Sequence, residues 1–484
     1  MTDKFEKALD HISDRHIAEA AEAKKRRKPY WLGAVAAILA VALIAGFAFP
    51  RSSPPVPTDP LPQDGTNAVG TGKVYALSAP QYPELAQYPS DYDADSYDAW
   101  WSQQRELHGQ PEGYAGSLDP YFAAITAQLL SDTEGGNAVC SPVNIYIALA
   151  MLAETTDGAS RQQLLDLLNA DSINALRTQV GHVWRGHYND DGLSTSILAN
   201  SLWLKEGYTY NKETVQLLAD SYYASVFQGD LGSEAANQAL RDWINDQTGG
   251  LLREQTKDLK LDAQSVLALA STLYYRVQWQ EQFHKENNTE GTFHSASGDS
   301  TETFMNQILL YNPYYWGDRF GAVSLSLEDG SQMWLILPDE GTTPEELLAS
   351  GDAMEFLQQD LYTYKNQKSL LINLSVPKFD ISSDMELKDQ LKVLGITDVF
   401  IPGTADFSPI IPENDGGCVD QVKHAARVAI DEEGVTAAAF TVIMRAGAGM
   451  PPSDEMDFVL DRPFLFVIES QDGLPLFAGV VNQP

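Results

Sequence analysis

The sequence has almost no cysteine. Among 484 residues, only Cys140 and Cys418 are cysteine. Two cysteines exclude a small protein held together by several disulfides and do not form a Cys-x-x-Cys metal motif, whereas one disulfide or two free thiols both stay open. The hydrophobic content of 44% and the aromatic content of 10% are those of a globular protein. The length allows one large domain with appendages, or two to three domains.

Basic residues are scarce beyond residue 50. Of the 32 basic and 67 acidic residues, 8 and 6 lie in the first 50, which leaves 24 and 61, a net charge of −37, in the remainder. Recognition of phosphate backbones needs a basic surface. The composition therefore excludes a nucleic-acid-binding protein.

The familiar catalytic and ligand-binding motifs are missing as well. The chain has no Gly-x-Ser-x-Gly, His-Glu-x-x-His, Walker A or EF-hand motif, and no Gly-x-Gly-x-x-Gly after a strand. His424 lies in the strand-like stretch VKHAARVAID, and we interpret it as a hydrogen-bonded core residue rather than a base. The sequence thus predicts no enzyme, no cofactor and no metal.

A long apolar run is present near the N-terminus. The basic cluster at 24–28 precedes an uncharged stretch at 29–50, PYWLGAVAAILAVALIAGFAFP. About 20 apolar residues can span a bilayer, and basic residues before such a span keep that side in the cytoplasm. We predict a cytoplasmic leader at 1–29, a single-pass membrane anchor at 30–50 and an extracellular remainder. A cleaved signal peptide is the alternative, disfavoured by the long leader and the poor cleavage site.

Two further regions follow the apolar run. Residues 51–115 are rich in Pro, Asp, Tyr, Ser and Gly without periodicity, which predicts an extended extracellular spacer, although the patch around Trp100 and Trp101 could dock on a domain. The folded domain is predicted over 116–484. Helical spacing dominates early, as in DPYFAAITAQLL and after the candidate N-cap Ser141, and strand-like runs such as LLINLSVPKF and FLFVIES dominate later. This segregation predicts an α+β fold.

The segment DEEGVTAAAFTVIMRAGAGM at 431–450 carries contradictory signals. Its alanines favour helix, its β-branched and aromatic residues favour strand, and its late glycines, with the prolines that follow, favour an exposed loop. Read with period 2, one face is small or apolar and uncharged: Val435, Ala437, Ala439, Thr441 and Ile443. We interpret the acidic start as a solvated corner, and the remainder as a candidate switch between loop and buried strand.

Here the sequence resembles a known family. DEEGVTAAAFT is similar to the hinge of the reactive-centre loop of serpins, and similar landmarks follow in the same order over 118–484. They include NAVCSPVNIYIALAML, ANSLWL, WINDQTGGLLREQ, LASTLYYRVQWQEQF, SVPKFDI, ADFSPI, HAARVAIDEEG, DRPFLFVI and LFAGVVNQP. The domain is identified as a member of the serpin family. The resemblance implies the serpin fold: a large, mostly antiparallel central sheet, surrounding helices and an exposed reactive-centre loop.

The resemblance also implies a function. The expected protein is a monomeric, membrane-anchored bacterial suicide inhibitor of extracellular serine proteases, in which the cleaved loop forms an acyl-enzyme and then inserts as a new strand. A serpin-fold surface module that binds without inhibiting is the alternative, and a surface hydrolase is a third class without a supporting motif. The implied hinge comprises Glu433, Gly434, Val435 (where threonine is usual), Thr436, Ala437, Ala438, Ala439, Phe440 and Thr441.

Two further sites are implied. The sheet-opening region corresponds to Ser141, Ser271 and His424, with Ser271 standing where the family usually has asparagine. Counting from the hinge glycine places the scissile bond at Ala448–Gly449, which suggests elastase-like or subtilisin-like targets. Because the loop is a few residues longer than usual, Met450 stays open, and Arg445 would suit a trypsin-like target.

Overall fold

The computed structural model describes residues 73–89, 93–263, 265–413, 417–435 and 454–484. The predicted leader at 1–29, the predicted anchor at 30–50 and the spacer as far as residue 72 lie outside these ranges. Within them, none of the helices combines the length and the apolar character that a membrane-spanning segment requires.

Eleven α-helices lie in the described ranges. They are α1 (Ala94–His108), α2 (Asp119–Leu130), α3 (Pro142–Thr155), α4 (Gly158–Leu167), α5 (Ile173–His187), α6 (Lys212–Tyr222), α7 (Glu234–Gln247), α8 (Arg253–Thr256), α9 (Pro344–Ser350), α10 (Asp352–Leu357) and α11 (Lys388–Val393).

Seventeen strands lie in the same ranges. They are β1 (Tyr75–Ser78), β2 (Ala138–Cys140), β3 (Asn189–Asp190), β4 (Thr195–Lys205), β5 (Ala224–Gly229), β6 (Leu267–Gln278), β7 (Thr289–Ser295), β8 (Gly298–Trp316), β9 (Phe320–Ser326), β10 (Gln332–Pro338), β11 (Gln367–Pro377), β12 (Phe379–Glu386), β13 (Val419–Ile430), β14 (Gly434–Val435), β15 (Glu455–Val459), β16 (Phe464–Glu469) and β17 (Pro475–Val481).

The strands form two sheets. The first runs in the order β1-β5-β4-β6-β14-β13-β12, with β3 beside β4, and the second in the order β15-β11-β8-β9-β10-β16-β17-β2, with β7 beside β8. Pairing is antiparallel except between β4 and β5, β6 and β13, and β11 and β15. The predicted α+β architecture with mostly antiparallel sheets is therefore confirmed.

Helix α3 is buried along its whole length between the sheets and the outer helices. Ser141 caps it as predicted, because its hydroxyl accepts a hydrogen bond from the Asn144 amide and Pro142 occupies the first turn. A helix that is apolar on all faces belongs in the centre of a core. A hydrogen bond from the Ser141 amide to His424 of β13 places the helix start directly beneath the first sheet.

The extended spacer predicted as far as residue 115 differs from the structure. Strand β1 pairs with β5 at the edge of the first sheet, and α1 packs on α5 and the β3–β4 turn. The Trp100 indole is buried and donates to the Asp191 carboxylate at 2.9 Å, whereas Trp101 is half exposed. The composition concealed this element because Trp100 is the one buried side chain of α1, so the helix has no apolar stripe.

Candidate functional site

The hinge begins inside the first sheet. Strand β14 lies between β6 and β13 and is antiparallel to both: Gly434 faces Gln278, and Val435 faces Val277 on one side and Ile430 on the other. Val435 is 1% exposed. The expected exposed loop therefore has its first two residues already in strand pairing.

Strands β6 and β13 pair with each other further along. Their parallel register joins Val419 to Leu267, and His424 to Ser271. The two strands are thus separated at one end, where β14 lies between them, and joined at the other. We call the space between them the slot. Its mouth is the end where the strands are separated, and its closed end is where they pair with each other.

Residues 431–433 form a tight bend that leads into β14. The Asp431 carboxylate accepts hydrogen bonds from the amides of Glu433 (2.8 Å) and Gly434 (3.2 Å), and the Asp431 amide donates to the Gly434 carbonyl at 3.1 Å. Trp279, at the end of β6, donates its indole N–H to the Asp431 carbonyl (2.8 Å) and its amide to the Glu433 carbonyl (3.0 Å). Hydrogen bonds within the bend and from Trp279 therefore fix the conformation of residues 431–434 at the mouth of the slot.

Glu432 corrects the expectation of a solvated acidic corner. Its side chain is 4% exposed, and one carboxylate oxygen lies 2.5 Å from the Lys378 ammonium and accepts from the Asn288 amide. Burial raises the pKa of Glu432, but hydrogen bonds from Lys378, its own backbone and Asn288 outweigh burial and hold the pKa below its ordinary value. Glu433, by contrast, is partly exposed, and its carboxylate lies 3.7 Å from Lys285.

The three predicted sheet-opening residues lie together at the closed end of the slot. The Ser141 amide donates to Nε2 of His424 at 2.9 Å, and His424 is the register partner of Ser271. Since Nε2 accepts, the neutral imidazole carries its proton on Nδ1. His424 is 1% exposed, so its interpretation as a hydrogen-bonded core residue is confirmed, and burial lowers its pKa to about 4.

Two buried asparagines complete this cluster and were missed in the sequence. Asn144 follows Ser141 in the first turn of α3, and Asn200 on β4 is the register partner of Ser271. Both are at most 1% exposed, and neither side-chain amide has a hydrogen-bond partner within the described ranges, nor does Nδ1 of His424. Unpaired buried polar groups weaken a structure. Five such atoms, of Asn144, Asn200 and His424, belong to this cluster.

The remaining predicted site residues lie outside the described ranges. These are the hinge residues Thr436, Ala437, Ala438, Ala439, Phe440 and Thr441, the predicted bond Ala448–Gly449 and the alternatives Arg445 and Met450. The described ranges contain no group of His, Cys, Asp and Glu side chains that could hold a metal ion. Cys140 and Cys418 are both free thiols, and burial raises the pKa of each.

Comparisons with known proteins agree with this geometry. The family model described as "Serpin (serine protease inhibitor)" matches residues 121–484. Serpin-ZX of Arabidopsis thaliana is 28% identical over 368 residues, which cover 73% of this chain and 93% of that protein. Serpin-Z1C of Triticum aestivum is 30% identical over 386 residues, which cover 75% and 94%.

Solved structures show the same fold. The thermophilic serpin tengpin in its native state is similar with a TM-score of 0.68 and 25% identity, over 83% of this chain and 98% of tengpin. Thyroxine-binding globulin in complex with thyroxine is similar with a TM-score of 0.65 and 21% identity, over 76% of this chain and 99% of the globulin. The second likeness concerns the fold alone.

Proposed function

The chain belongs to the serpin family, and from this premise we propose that it is a suicide inhibitor of extracellular serine proteases. The observation that carries the proposal is β14, which lies between β6 and β13 where a further strand can follow it. A segment that only linked two sheets would not need to enter one of them. The family model itself describes inhibitors of proteases rather than enzymes.

The register of β14 predicts where the rest of the hinge goes on insertion. Continued in step from Val435 opposite Val277 and Ile430, the strand brings Thr441 opposite both Ser271 and His424, which now pair with each other. Directly opposite residues share a face of a sheet. The core-facing residues would therefore be Val435, Ala437, Ala439 and Thr441, all small enough to enter without overpacking.

The proposed reaction uses the nucleophile of the target protease. Its serine oxygen attacks the carbonyl carbon of Ala448, the bond to the Gly449 nitrogen breaks, and that nitrogen takes a proton to become a new N-terminus. The loop is then attached to the protease through an ester and is free at one end. Insertion before water hydrolyses the ester carries the protease away from its docking position and distorts it.

A serpin-fold binding module that does not inhibit is the competing proposal. Thyroxine-binding globulin shows that the fold can hold a ligand. The small residues of this hinge favour inhibition, since bulky or charged side chains at the core-facing positions would prevent insertion. Display of the inhibitor on a bacterial surface through the segment at 30–50 is a further proposal, which rests on the sequence.

Incubation with proteases separates these possibilities. The full chain in detergent is mixed with pancreatic elastase, subtilisin and trypsin, and complexes that survive SDS are detected by electrophoresis. We expect a complex with an enzyme that cleaves after small residues. Mass spectrometry should then detect a released C-terminal peptide that begins at Gly449. A peptide beginning at Ala446 would assign Arg445 instead, and one beginning at Pro451 would assign Met450. Cleavage by all three enzymes without any complex would overturn the inhibitor proposal.

Replacement of Ala439 by arginine tests insertion directly. Ala439→Arg would place a charge on the core-facing side of the inserted strand, so the ester should hydrolyse before insertion and the chain should become a substrate. Ala438→Arg places the same side chain on the opposite face and is the matched control. We expect the number of inhibitor molecules consumed per protease to rise about tenfold for Ala439→Arg only. An equal effect of both changes would contradict the predicted face.

A further inference from the structure

An exposed apolar patch lies on the second sheet, on strand β8. Ile308, Leu310 and Tyr311 are 61%, 59% and 47% exposed. Successive side chains of a regular strand point to opposite faces. Because Leu310 and Tyr311 are adjacent and both exposed, the backbone there must depart from regular geometry.

The departure is a β-bulge. Leu309 faces Ile372 and Asn312 faces Leu370, so the two residues Leu310 and Tyr311 lie opposite the single residue 371. Tyr311 has a φ of +57°, a left-handed conformation that is costly for a bulky residue. The bulge turns two large apolar side chains towards solvent, which fold stability does not favour. Bulges and strained backbone of this kind are over-represented beside functional sites.

An organised pair of carboxylates borders the patch. The Asn373 side-chain amide donates to Glu455 Oε1 and to Asp457 Oδ1, both at 2.8 Å. Asn373 is also the register partner of Ile308 on one side and of Asp457 on the other. Ile308, Asn373 and Asp457 therefore form one row on the outer face of the sheet. The carboxylates of Glu455 and Asp457 are both exposed. The apolar and acidic parts of the surface are about 10 Å apart, two strand spacings.

The position of this surface points to its partner. Strand β15 begins at Glu455, directly after the loop, and the predicted scissile bond Ala448–Gly449 precedes it by six residues. Six residues span at most about 20 Å, and a protease domain of about 230 residues has a radius of gyration of about 17 Å. A protease engaged at that bond would extend over the outer face of β15, β11 and β8.

We propose that Ile308, Leu310 and Tyr311, together with Glu455 and Asp457, form a second docking surface for the target protease. The partner it fits carries an apolar side chain flanked by basic residues beside its active-site cleft. The apolar residues prolong the encounter complex, and the carboxylates attract a basic partner. The inference rests on the proposed inhibitor function and adds selection of the target outside the loop.

Association rates test the proposal. The full chain in detergent is mixed with an elastase of basic net charge and with a subtilisin of acidic net charge, and the second-order rate of inhibition is measured. The test variant combines Ile308→Ser, Leu310→Ser and Tyr311→Asn, since asparagine tolerates the left-handed conformation. The control combines Tyr362→Ser and Val393→Ser, two apolar side chains that are 97% and 72% exposed elsewhere. We expect the rate with the basic elastase to fall about tenfold for the test variant and to stay within about twofold for the control.

The charged half of the surface has its own test. Glu455→Gln with Asp457→Asn should lower the rate with the basic elastase and flatten its salt dependence, whereas the rate with the acidic subtilisin should not fall, because two repulsive charges are removed. An unchanged rate of the patch variant with the basic elastase, while covalent complexes still form, would overturn the docking surface but not the inhibitor. A wild-type dimer in sedimentation that the patch variant abolishes would also overturn it, because the face would then bind a second copy. If the wild-type chain forms no covalent complex with either enzyme, the inhibitor proposal fails first and this inference fails with it.

Discussion

Gly434 is confined by a close backbone approach. A Cβ added to it would lie 2.2 Å from the Val277 carbonyl oxygen and 2.7 Å from the Gln278 Cα, both backbone atoms that cannot swing aside. Only glycine lets β14 come within pairing distance of β6 at this point. The requirement concerns space, because Gly434 is not among the glycines with positive φ.

Gly434→Ala should therefore release β14 from the slot. We expect the Val435 amide to exchange its hydrogen at least about tenfold faster, measured by hydrogen–deuterium exchange. Gly116→Ala is the control, since the nearest atom to its added Cβ is 3.9 Å away. Protection of Val435 that is equal in both variants would show that β14 is not held by this approach.

His424 makes stability depend on pH. Burial lowers its pKa from 6.5 to about 4, so between these values the unfolded chain binds a proton that the folded chain does not. Stability is then complete above pH 6.5 and falls as the pH decreases towards 4, by about 3 kcal/mol in total. His424→Gln, whose amide oxygen can still accept from the Ser141 amide, should reduce this slope in denaturant titrations. A slope in His424→Gln equal to that of the wild type would refute the assignment.

At the scale of elements, the segment before α2 fastens the sheet edge to the helical layer. Its contacts include β1 on β5, the stack of Tyr82 on Trp184 at 5.7 Å, and the hydrogen bonds from Trp100 and Gln104 to Asp191. An exposed edge strand is a site of unwanted pairing. The added strand β1 covers the edge that β5 would otherwise present.

Adjacent tryptophans of α1 offer a matched test of this segment. Trp100 is 7% exposed and hydrogen-bonded, and Trp101 is 47% exposed. Trp100→Ala should lower the free energy of unfolding by about 3 kcal/mol, and Trp101→Ala by less than about 1 kcal/mol. Denaturant titration of both variants measures the difference. Equal losses would mean that α1 does not pack on the domain in solution.

Periodicity predicted the helices and strands that are buried along their length. It failed where only one side chain of an element is buried, and where the residue that buries a side chain is distant in the sequence. Strand β6, strand β13 and the capped start of α3 follow from pattern and capping alone. The helical spacing of KETVQLLADSYYASVF at 212–227 predicts one helix through Phe227, but helix α6 ends at Tyr222, because Tyr223 takes a left-handed conformation and the chain continues as β5. Burial of Glu432 could not be read from the sequence, since Lys378 lies far upstream.

At the scale of the whole molecule, the native state is proposed to be a kinetic trap. The strands bordering the slot are open at the mouth and carry unpaired polar groups at the closed end, so a chain with the loop fully inserted should be more stable. The strongly acidic surface beyond residue 50 keeps such a molecule soluble during the change.

Cleavage of the loop should accordingly stabilise the protein. Limited digestion with subtilisin, followed by thermal unfolding of the nicked chain, should show a melting temperature raised by more than about 10 °C. Ala439→Arg nicked in the same way is the control and should show a much smaller rise. A melting temperature unchanged by cleavage would indicate that the loop never enters the sheet.

The direction of the strands around the slot determines whether insertion of the loop could be reversed. β6 and β13 pair in parallel, which is the slightly weaker arrangement, whereas β14 is antiparallel to both neighbours. Each step of the proposed insertion would therefore replace one parallel pairing, between β6 and β13, by two antiparallel pairings. Reversal would have to break two antiparallel pairings to restore one parallel pairing, so each inhibitor molecule would act once.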